Sequence, residues 1–118
     1  MTSIYKILRR DEWRTAQQAG QFSGSAVDHR DGYIHFSTGA QAQETARLHF
    51  RQVADLVVLE VNAEDLGVAL VWEPSRGGSL FPHLYGALPV EAVEDVHDAP
   101  LDADGVPILG FLGAQAQK

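Results

Sequence analysis

The sequence predicts a small α+β protein built as one domain. Two helical patterns lie in the first half of the chain, and the second half consists mostly of short apolar runs separated by turn residues. Groups of helices and strands that do not alternate strictly are typical of α+β folds. The 118 residues suit one hydrophobic core and contain no repeat or linker, so we predict a single domain over residues 1–118.

The N-terminal part of the chain predicts a strand, a helix and a loop. Residues 3–8, SIYKIL, alternate as a β-strand does. Asp11 is a suitable N-cap for the helix EWRTAQQA, which Gly20 would end in a left-handed conformation. The polar stretch over residues 21–30 comes next, and we expect it to form a surface loop.

A second strand and a second helix follow this loop. YIHF, residues 33–36, is rich in β-favouring residues, and Ser37 or Thr38 can cap the helix after it. The helical pattern continues to residue 54, and its apolar positions share one face. That face comprises Ala42, Ala46, His49, Phe50 and Val53. We therefore expect the histidine of this face to pack at the edge of the core.

The next part of the chain predicts three strands. Residues 55–62, DLVVLEVN, are almost continuously apolar, which indicates a central strand buried on both faces. Residues 68–73, VALVWE, predict a strand with Trp72 in the core, and PSRGG predicts a turn after it. Pro82 has no N–H group to donate, so the strand LFPHLYG should lie at a sheet edge or begin at that residue.

The C-terminal part has weaker patterns. Residues 90–98, VEAVEDVHD, fit either a strand or a short helix. DADG, residues 102–105, predicts a hairpin turn that leads into a strand, VPILGF. The tail from about residue 113 is expected to be frayed.

Charge and composition exclude several classes of function. Asp and Glu number 16 against 9 Lys and Arg, and the resulting net charge of −7 repels nucleic-acid backbones. The absence of cysteine excludes disulfides, thiolate nucleophiles and cysteine-type zinc sites. Lys6, Arg9 and Arg10 interrupt the N-terminus before a signal sequence develops, and no apolar run is long enough to span a membrane. We expect a cytoplasmic protein whose partner is a small molecule.

The motif YIHFST contains the first group of candidate site residues. The strand period places His35 and Ser37 on the face opposite the core residues Ile34 and Phe36. Both then lie next to a helix N-terminus, whose free N–H groups can hold a phosphate or carboxylate together with Thr38. The alternative is that the two hydroxyl residues only cap the helix and that the histidine is an exposed strand residue.

The motif FPHLYG contains the second group. Phe81, His83 and Tyr85 share one face, which is apolar in its body and polar at its tips, as in the wall of a small-molecule pocket. The alternative is a core face on which the imidazole and the phenol bond to the backbone. Because each motif pairs a histidine with a hydroxyl residue two positions away, we predict that His35, His83 and Tyr85 line one pocket as candidate catalytic residues.

Arg76, in the glycine-rich turn SRGGS, is a candidate anion ligand. Its flanking glycines allow a ligand to approach the backbone closely, and a guanidinium can bind a carboxylate or phosphate. The alternative is a solvated side chain.

A metal site is a further hypothesis. His29, His35, His49 and His83 could supply ligands together with Glu73, which otherwise fits an exposed strand end. They have neither the HExxH spacing nor the spacing of structural zinc sites, so we expect no metal.

The motifs taken together resemble a small bacterial family, domain-of-unknown-function family 952. The resemblance covers about residues 4–107 and is carried by DGYIHFST before an alanine-rich helix, DLVVLEV, WEPSRGG and FPHLYGALPVEAV. That family is similar in fold to the ADP-ribosyltransferases, which hold NAD in a cleft between two small sheets. The resemblance therefore implies two short helices and two small, mostly antiparallel sheets around a cleft, with NAD as the expected cofactor.

The resemblance also implies roles for individual residues. His35 and Ser37 match the middle strand of those enzymes, and Thr38 opens the helix after it. The first strand of those enzymes usually carries His or Arg, where this chain has Tyr5 and Lys6. Their last motif usually carries a catalytic Glu, where FPHLYG has a histidine and a tyrosine. A carboxylate stabilises an oxocarbenium ion, whereas a protonated imidazole opposes it. With histidines in place of that carboxylate, the chain resembles more closely the branch that contains RNA 2′-phosphotransferases.

Three functional hypotheses follow. The first is a nucleotide pocket that processes NAD or ADP-ribose, in which the two histidines and Tyr85 supply acid–base chemistry. In that pocket the cofactor-binding residues would be Lys6, Ser37, Thr38 and Arg76. The second is a non-catalytic small-molecule-binding domain on the same fold, and the third is a metal-assisted hydrolase that uses the histidines.

Overall fold

A computed structural model of the protein describes residues 2–112. The fold is α+β, as the sequence predicts, with three α-helices and short strands in that range. In chain order the elements are β1 (Ser3–Arg9), α1 (Arg10–Ala19), β2 (Gln21–Phe22), α2 (Ala26–Asp31), β3 (Ile34–His35), β4 (Ser37–Thr38), α3 (Gly39–His49), β5 (Leu56–Asn62), β6 (Leu70–Pro74), β7 (Leu80–Leu84), β8 (Leu88–Pro89) and β9 (Val93–Ala99).

The strands form three antiparallel sheets. The largest has the order β4-β1-β5-β9, the second has the order β3-β7-β6, and β2 pairs with β8. The position predicted for β5 is confirmed, because it pairs with β1 on one side and β9 on the other and its valines are fully buried. The apolar run of β5 thus reflects a strand that packs against a core on both faces.

Two hydrophobic cores lie on opposite faces of the four-stranded sheet. Trp13 and Ala16 of α1 pack on one face, and Ala42 and Ala46 of α3 pack on the other. β1 serves both cores, since alternate residues along a strand point to opposite faces.

Phe36 marks the point at which the chain passes from one sheet to another. β3 pairs with β7 in the three-stranded sheet, and two residues later β4 pairs with β1 in the four-stranded sheet. The N–H group of Phe36 donates to the carbonyl oxygen of Pro82 at 3.0 Å, which holds the transition in place. The predicted strand over residues 33–36 is therefore limited to β3, and β4 follows it in the other sheet. A cleft opens beside them.

The N-terminal half differs from the prediction in its helices. The predicted loop over residues 21–30 contains β2 and α2, so there are three helices and three sheets rather than two of each. β2 is two residues long and α2 is six, too short to show a period in the sequence. α1 begins at Arg10, with Arg9 rather than Asp11 as N-cap, and α3 ends at His49, which is exposed rather than packed at the core edge.

The C-terminal half differs in how three segments pair. Pro82 lies in β7, which is the central strand of its sheet and not an edge. The proline is tolerated there because its nitrogen faces the side where β3 ends, so no ladder bond to β6 is lost. Trp72 lies on the edge strand β6 and is 39% exposed rather than in the core. The turn at 102–105 forms, but residues 106–111 make a single bridge, between Leu101 and Pro107, instead of a strand.

Residues 90–98 are a 3-10 turn followed by most of β9. The predicted fraying from residue 113 lies outside the described residues. None of the helices within residues 2–112 is both long and apolar enough to cross a membrane.

Candidate functional site

A cleft of about 560 Å³ lies between the β1–β4 edge of the large sheet and the β3–β7 pair. Helices α2 and α3 and the glycine-rich turn after β6 close its sides. Five of the seven residues predicted for the site line it, namely Lys6, His35, Ser37, Arg76 and His83.

The other two predicted residues, Thr38 and Tyr85, lie outside the cleft lining. Thr38 is the N-cap of α3, and its N–H group donates to Oε1 of Gln41 at 3.0 Å. The ring of Tyr85 is 46% exposed and lies 5.3 Å from the ring of Tyr33, measured between centroids.

The two imidazoles of the cleft lie side by side. His35 of β3 is directly opposite His83 of β7 in the strand register, and their ring centroids are 5.8 Å apart. Opposed residues in an antiparallel pair project to the same face, which explains why two histidines distant in the sequence meet here. The ring of Tyr33 contacts both imidazoles, at 4.0 Å from His83 in a stacked arrangement and at 4.6 Å from His35.

Glu73 of β6 orients His83. Its Oε1 lies 2.8 Å from Nδ1 of the imidazole and accepts a hydrogen bond from the Tyr85 hydroxyl at 2.7 Å. Hydrogen bonds from Tyr85 and His83 lower the pKa of Glu73, which keeps it an acceptor. The hydrogen bond to Glu73 raises the pKa of Tyr85 to about 12, so the phenol keeps its proton. Glu73 is therefore part of the site rather than a solvated strand end.

The other imidazole nitrogen of His83 is available to a ligand. In the neutral imidazole, with Nδ1–H donating to the carboxylate of Glu73, Nε2 carries the lone pair. Nε2 makes no hydrogen bond to any residue within 2–112, whereas every fully buried side-chain nitrogen or oxygen of that range has a partner. It is therefore open to the cleft that His83 lines. A carboxylate-oriented imidazole of this kind can accept a proton or a hydrogen bond from a hydroxyl group.

His35 is held by two carboxylates. Its Nδ1 lies 2.6 Å from Oδ1 of Asp28, and its Nε2 lies 2.9 Å from Oδ2 of Asp31. Two ionised carboxylates can both accept only when both ring nitrogens carry protons. His35 therefore acts as a bridge between α2 and β3, and neither of its nitrogens is left for a ligand in this arrangement.

Asp28 is the most heavily bonded carboxylate at the cleft. It is 2% exposed, receives Nζ of Lys6 at 2.8 and 3.0 Å, and accepts the backbone N–H groups of Ser25 and His35 at 2.8 and 3.1 Å. Burial by itself would raise the pKa of Asp28, but the hydrogen bond from His35 and the charge of Lys6 outweigh it and hold the pKa well below its ordinary value.

Lys6 lines the cleft wall, but its ammonium group is bonded to Asp28. Burial lowers the pKa of Lys6, and the Asp28 carboxylate opposes that change. The nitrogen also lies 5.8 Å from the centroid of the Phe22 ring. Lys6 is thus a buried structural cation that fixes α2 against β1.

The metal hypothesis drew on four histidines and Glu73, and within the described residues no three of their ligand atoms lie close enough together to share an ion. Within the described part of the chain, the one set of three side chains close enough to share an ion is Glu60, Asp95 and His97, whose ligand atoms lie within 4.8 Å of one another. That set is on β5 and β9, away from the cleft.

Several residues of the site were not predicted as pocket residues from the sequence. Asp28 and Asp31 lie in α2, a helix too short to be predicted, and their bonds to His35 depend on how α2 packs. Tyr33 has the same strand period as His35, and that pattern alone could have added it to the site. Glu73 could have been found only by aligning β6 with β7.

The geometry defines a cleft with basic and aromatic walls on a small α+β fold. The chain belongs to the family described as Protein of unknown function (DUF952), whose model matches residues 7–96, which confirms the family that the motifs predict. It is 58% identical to protein CC0527 from Caulobacter crescentus, whose crystal structure superimposes with a TM-score of 0.93 over 95% of this chain and 99% of that chain.

The solution NMR structure of CC0527 matches with a TM-score of 0.84 and a sequence identity of 59%, over 94% of this chain and 96% of that chain. No curated protein matches the sequence.

Proposed function

We propose that the cleft binds a nucleotide of the NAD or ADP-ribose kind and that His83 accepts a hydrogen bond or a proton from a ligand hydroxyl. One observation carries this proposal: Glu73 holds Nδ1 of His83 at 2.8 Å while Nε2 is open to the cleft. A carboxylate bonded to one imidazole nitrogen fixes the ring and its tautomer, and functional histidines use this arrangement to present the second nitrogen.

The composition of the walls supports a nucleotide. Tyr33 offers aromatic surface against which a base or nicotinamide ring can stack. Arg76 provides positive charge at the cleft of a protein whose net charge is −7, whereas Arg30 is bonded to Asp31. An anionic ligand is therefore attracted to Arg76 and disfavoured elsewhere on the surface. The volume of about 560 Å³ is in the usual range for small-molecule sites.

Non-catalytic binding is the second candidate function, and the environment of His35 favours it. Both nitrogens of that imidazole are bonded to carboxylates, so a two-histidine acid–base mechanism would first have to break one of these bonds. Glu73, the carboxylate next to the cleft, is bonded to His83 and Tyr85 and would have to be released before it could stabilise a cationic sugar. Turnover of NAD to nicotinamide separates the two candidates.

Thermal unfolding with added NAD or ADP-ribose tests the proposal. A ligand present at 100 times its dissociation constant should raise the free energy of unfolding by about 2.7 kcal/mol, because it binds only the folded state. The gain should vanish in His83→Ala, which removes the acceptor. It should persist in the control His29→Ala, because that exposed histidine lies outside the cleft. No stabilisation of the wild-type protein by either nucleotide would contradict the proposal.

A further inference from the structure

Arg76 is a half-buried cation without a carboxylate partner in the described chain. The ammonium of Lys6 and the guanidinium of Arg30 at the same cleft are each bonded to an aspartate. Arg76 makes no ion pair with any carboxylate in residues 2–112. Its charge, after the hydrogen bond from Arg47, lowers the pKa of Glu44, but Glu44 is bonded to Arg47 and not to Arg76. A partly desolvated guanidinium to which no carboxylate is bonded, in an acidic protein, favours an external anion.

The guanidinium of Arg76 is held in place by two contacts. Nη1 donates to Oγ1 of Thr45 at 3.3 Å, and Cζ lies 5.0 Å from the centroid of the Phe81 ring. The glycines after Arg76 adopt positive φ angles of 67° and 82°, which fixes the turn that carries it. Stacking and one hydrogen bond use only part of the guanidinium and leave several of its five N–H groups for a ligand.

Thr45 positions the guanidinium rather than binding a ligand itself. Its hydroxyl donates to the carbonyl oxygen of Gln41 at 3.1 Å and lies 2.9 Å from Oγ of Ser37. With Arg76 donating to the same oxygen, the bonding capacity of this hydroxyl is used within the protein. Ser37 therefore bonds to Thr45, and Thr45 in turn holds the guanidinium of Arg76 in position.

We propose that Arg76 binds the phosphoryl group of the ligand and that the attached sugar extends along β7 to His83. This inference rests on the proposed function and assigns the orientation of the nucleotide in the cleft. Phe81, under the guanidinium, and His83 are two residues apart on one strand face, a separation of about 7 Å, which is on the scale of one sugar phosphate. Thr38 does not take this role, since its N–H group donates to Gln41 and the residue lies outside the cleft lining.

Calorimetric titration of Arg76→Gln tests the inference with ADP-ribose, adenosine and inorganic pyrophosphate as probes. We expect the dissociation constant for ADP-ribose to rise about 10–100-fold and that for pyrophosphate to rise similarly, because a charged hydrogen-bonding group is lost. Adenosine, which has no phosphoryl group, should bind the variant and the wild type equally. Thr45→Val should weaken ADP-ribose binding less, since it frees the guanidinium without removing it.

Arg14→Gln is the matched control, because Arg14 is exposed and lies outside the cleft lining, yet its replacement changes the net charge equally. Its affinity for ADP-ribose should stay within about twofold of the wild type, since a remote exposed charge is screened. Equal binding of ADP-ribose by wild type and Arg76→Gln would overturn the orientation and leave the proposed function standing. If the wild type bound none of the three probes, both the orientation and the proposed function would be overturned. Pyrophosphate binding that depends on Arg76, without ADP-ribose binding, would support the phosphoryl site and contradict the nucleotide.

Arg76→Lys distinguishes loss of the phosphoryl contact from a folding defect in the glutamine variant. It keeps the charge and should retain part of the pyrophosphate affinity, whereas a misfolded cleft would lose adenosine binding as well.

Discussion

Replacing Asp28 by asparagine is expected to lower the free energy of unfolding by about 3–5 kcal/mol. The carboxylate is 2% exposed and pairs with the ammonium of Lys6, which is equally buried. Asparagine keeps the shape of the side chain but leaves the lysine as an uncompensated charge in the protein interior. The bond that links α2 to β3 through His35 is weakened in the same step. Urea denaturation of the two proteins at neutral pH measures the difference.

Two further variants identify the cause. Asp65→Asn removes an exposed carboxylate that is no part of this network and should change stability by less than about 0.5 kcal/mol. Adding Lys6→Met to Asp28→Asn removes the unpaired charge and should restore a large share of the lost stability. If the double variant were as unstable as the sum of both single losses, the buried ion pair would not be the source.

The same carboxylate predicts a pH dependence. Its pKa is depressed in the folded protein, so the unfolded chain binds its proton first as the pH falls. The stability that Asp28 contributes is present above its ordinary pKa of about 3.8 and is lost as the pH falls from there toward the depressed value. The stability difference between wild type and Asp28→Asn should therefore shrink below about pH 4. A difference that stayed constant down to pH 2 would contradict the assignment.

Replacing Glu73 by glutamine is expected to weaken ADP-ribose binding by about 10–100-fold, although Glu73 does not line the cleft. The carboxylate can only accept, so it holds the proton of His83 on Nδ1 and leaves Nε2 free to accept. A glutamine amide can rotate and donate to Nδ1, which moves the proton to Nε2 and removes the acceptor from the cleft. Isothermal calorimetry with ADP-ribose gives the change in affinity.

Tyr85→Phe is the matched control for that experiment. It removes the second hydrogen bond to the same carboxylate oxygen but leaves Glu73 to fix the imidazole. Its affinity should fall by less than about threefold, since the exposed phenol lies outside the cleft lining and Glu73 still accepts the Nδ1 proton of His83 without it. Unchanged affinity in Glu73→Gln, or an equal loss in both variants, would show that the orientation of His83 does not govern binding.

The sequence predicts this fold and site where the information is local. The alternation of YIHF places Ile34 and Phe36 in the core, and both are 2% exposed. The apolar run of β5 indicates its central position because burial on both faces leaves no polar positions in the strand. The histidines of the two motifs share a cleft because each lies on the polar side of a strand, a property that a period of two makes readable.

The bonding partners of those histidines depend on long-range pairing and are not readable. Asp28 meets Lys6 and His35 only because a six-residue helix packs between β1 and β3. Glu73 reaches His83 because β6 and β7 pair in one register, which a single sequence does not encode locally. The geometry of a strand pair thus determines which imidazole nitrogen is free, whereas the motif only places the ring.

Long-range ¹H–¹⁵N NMR spectra of the histidine rings, recorded with and without ADP-ribose, test the central claim most directly. In the free protein, His83 should carry its proton on Nδ1 and none on Nε2, and saturating ligand should shift the Nε2 resonance while Nδ1 stays protonated. His29 serves as the internal reference, because it lies outside the cleft lining. A proton on Nε2 of His83 in the free protein, or an Nε2 resonance that does not move at saturation, would contradict the account.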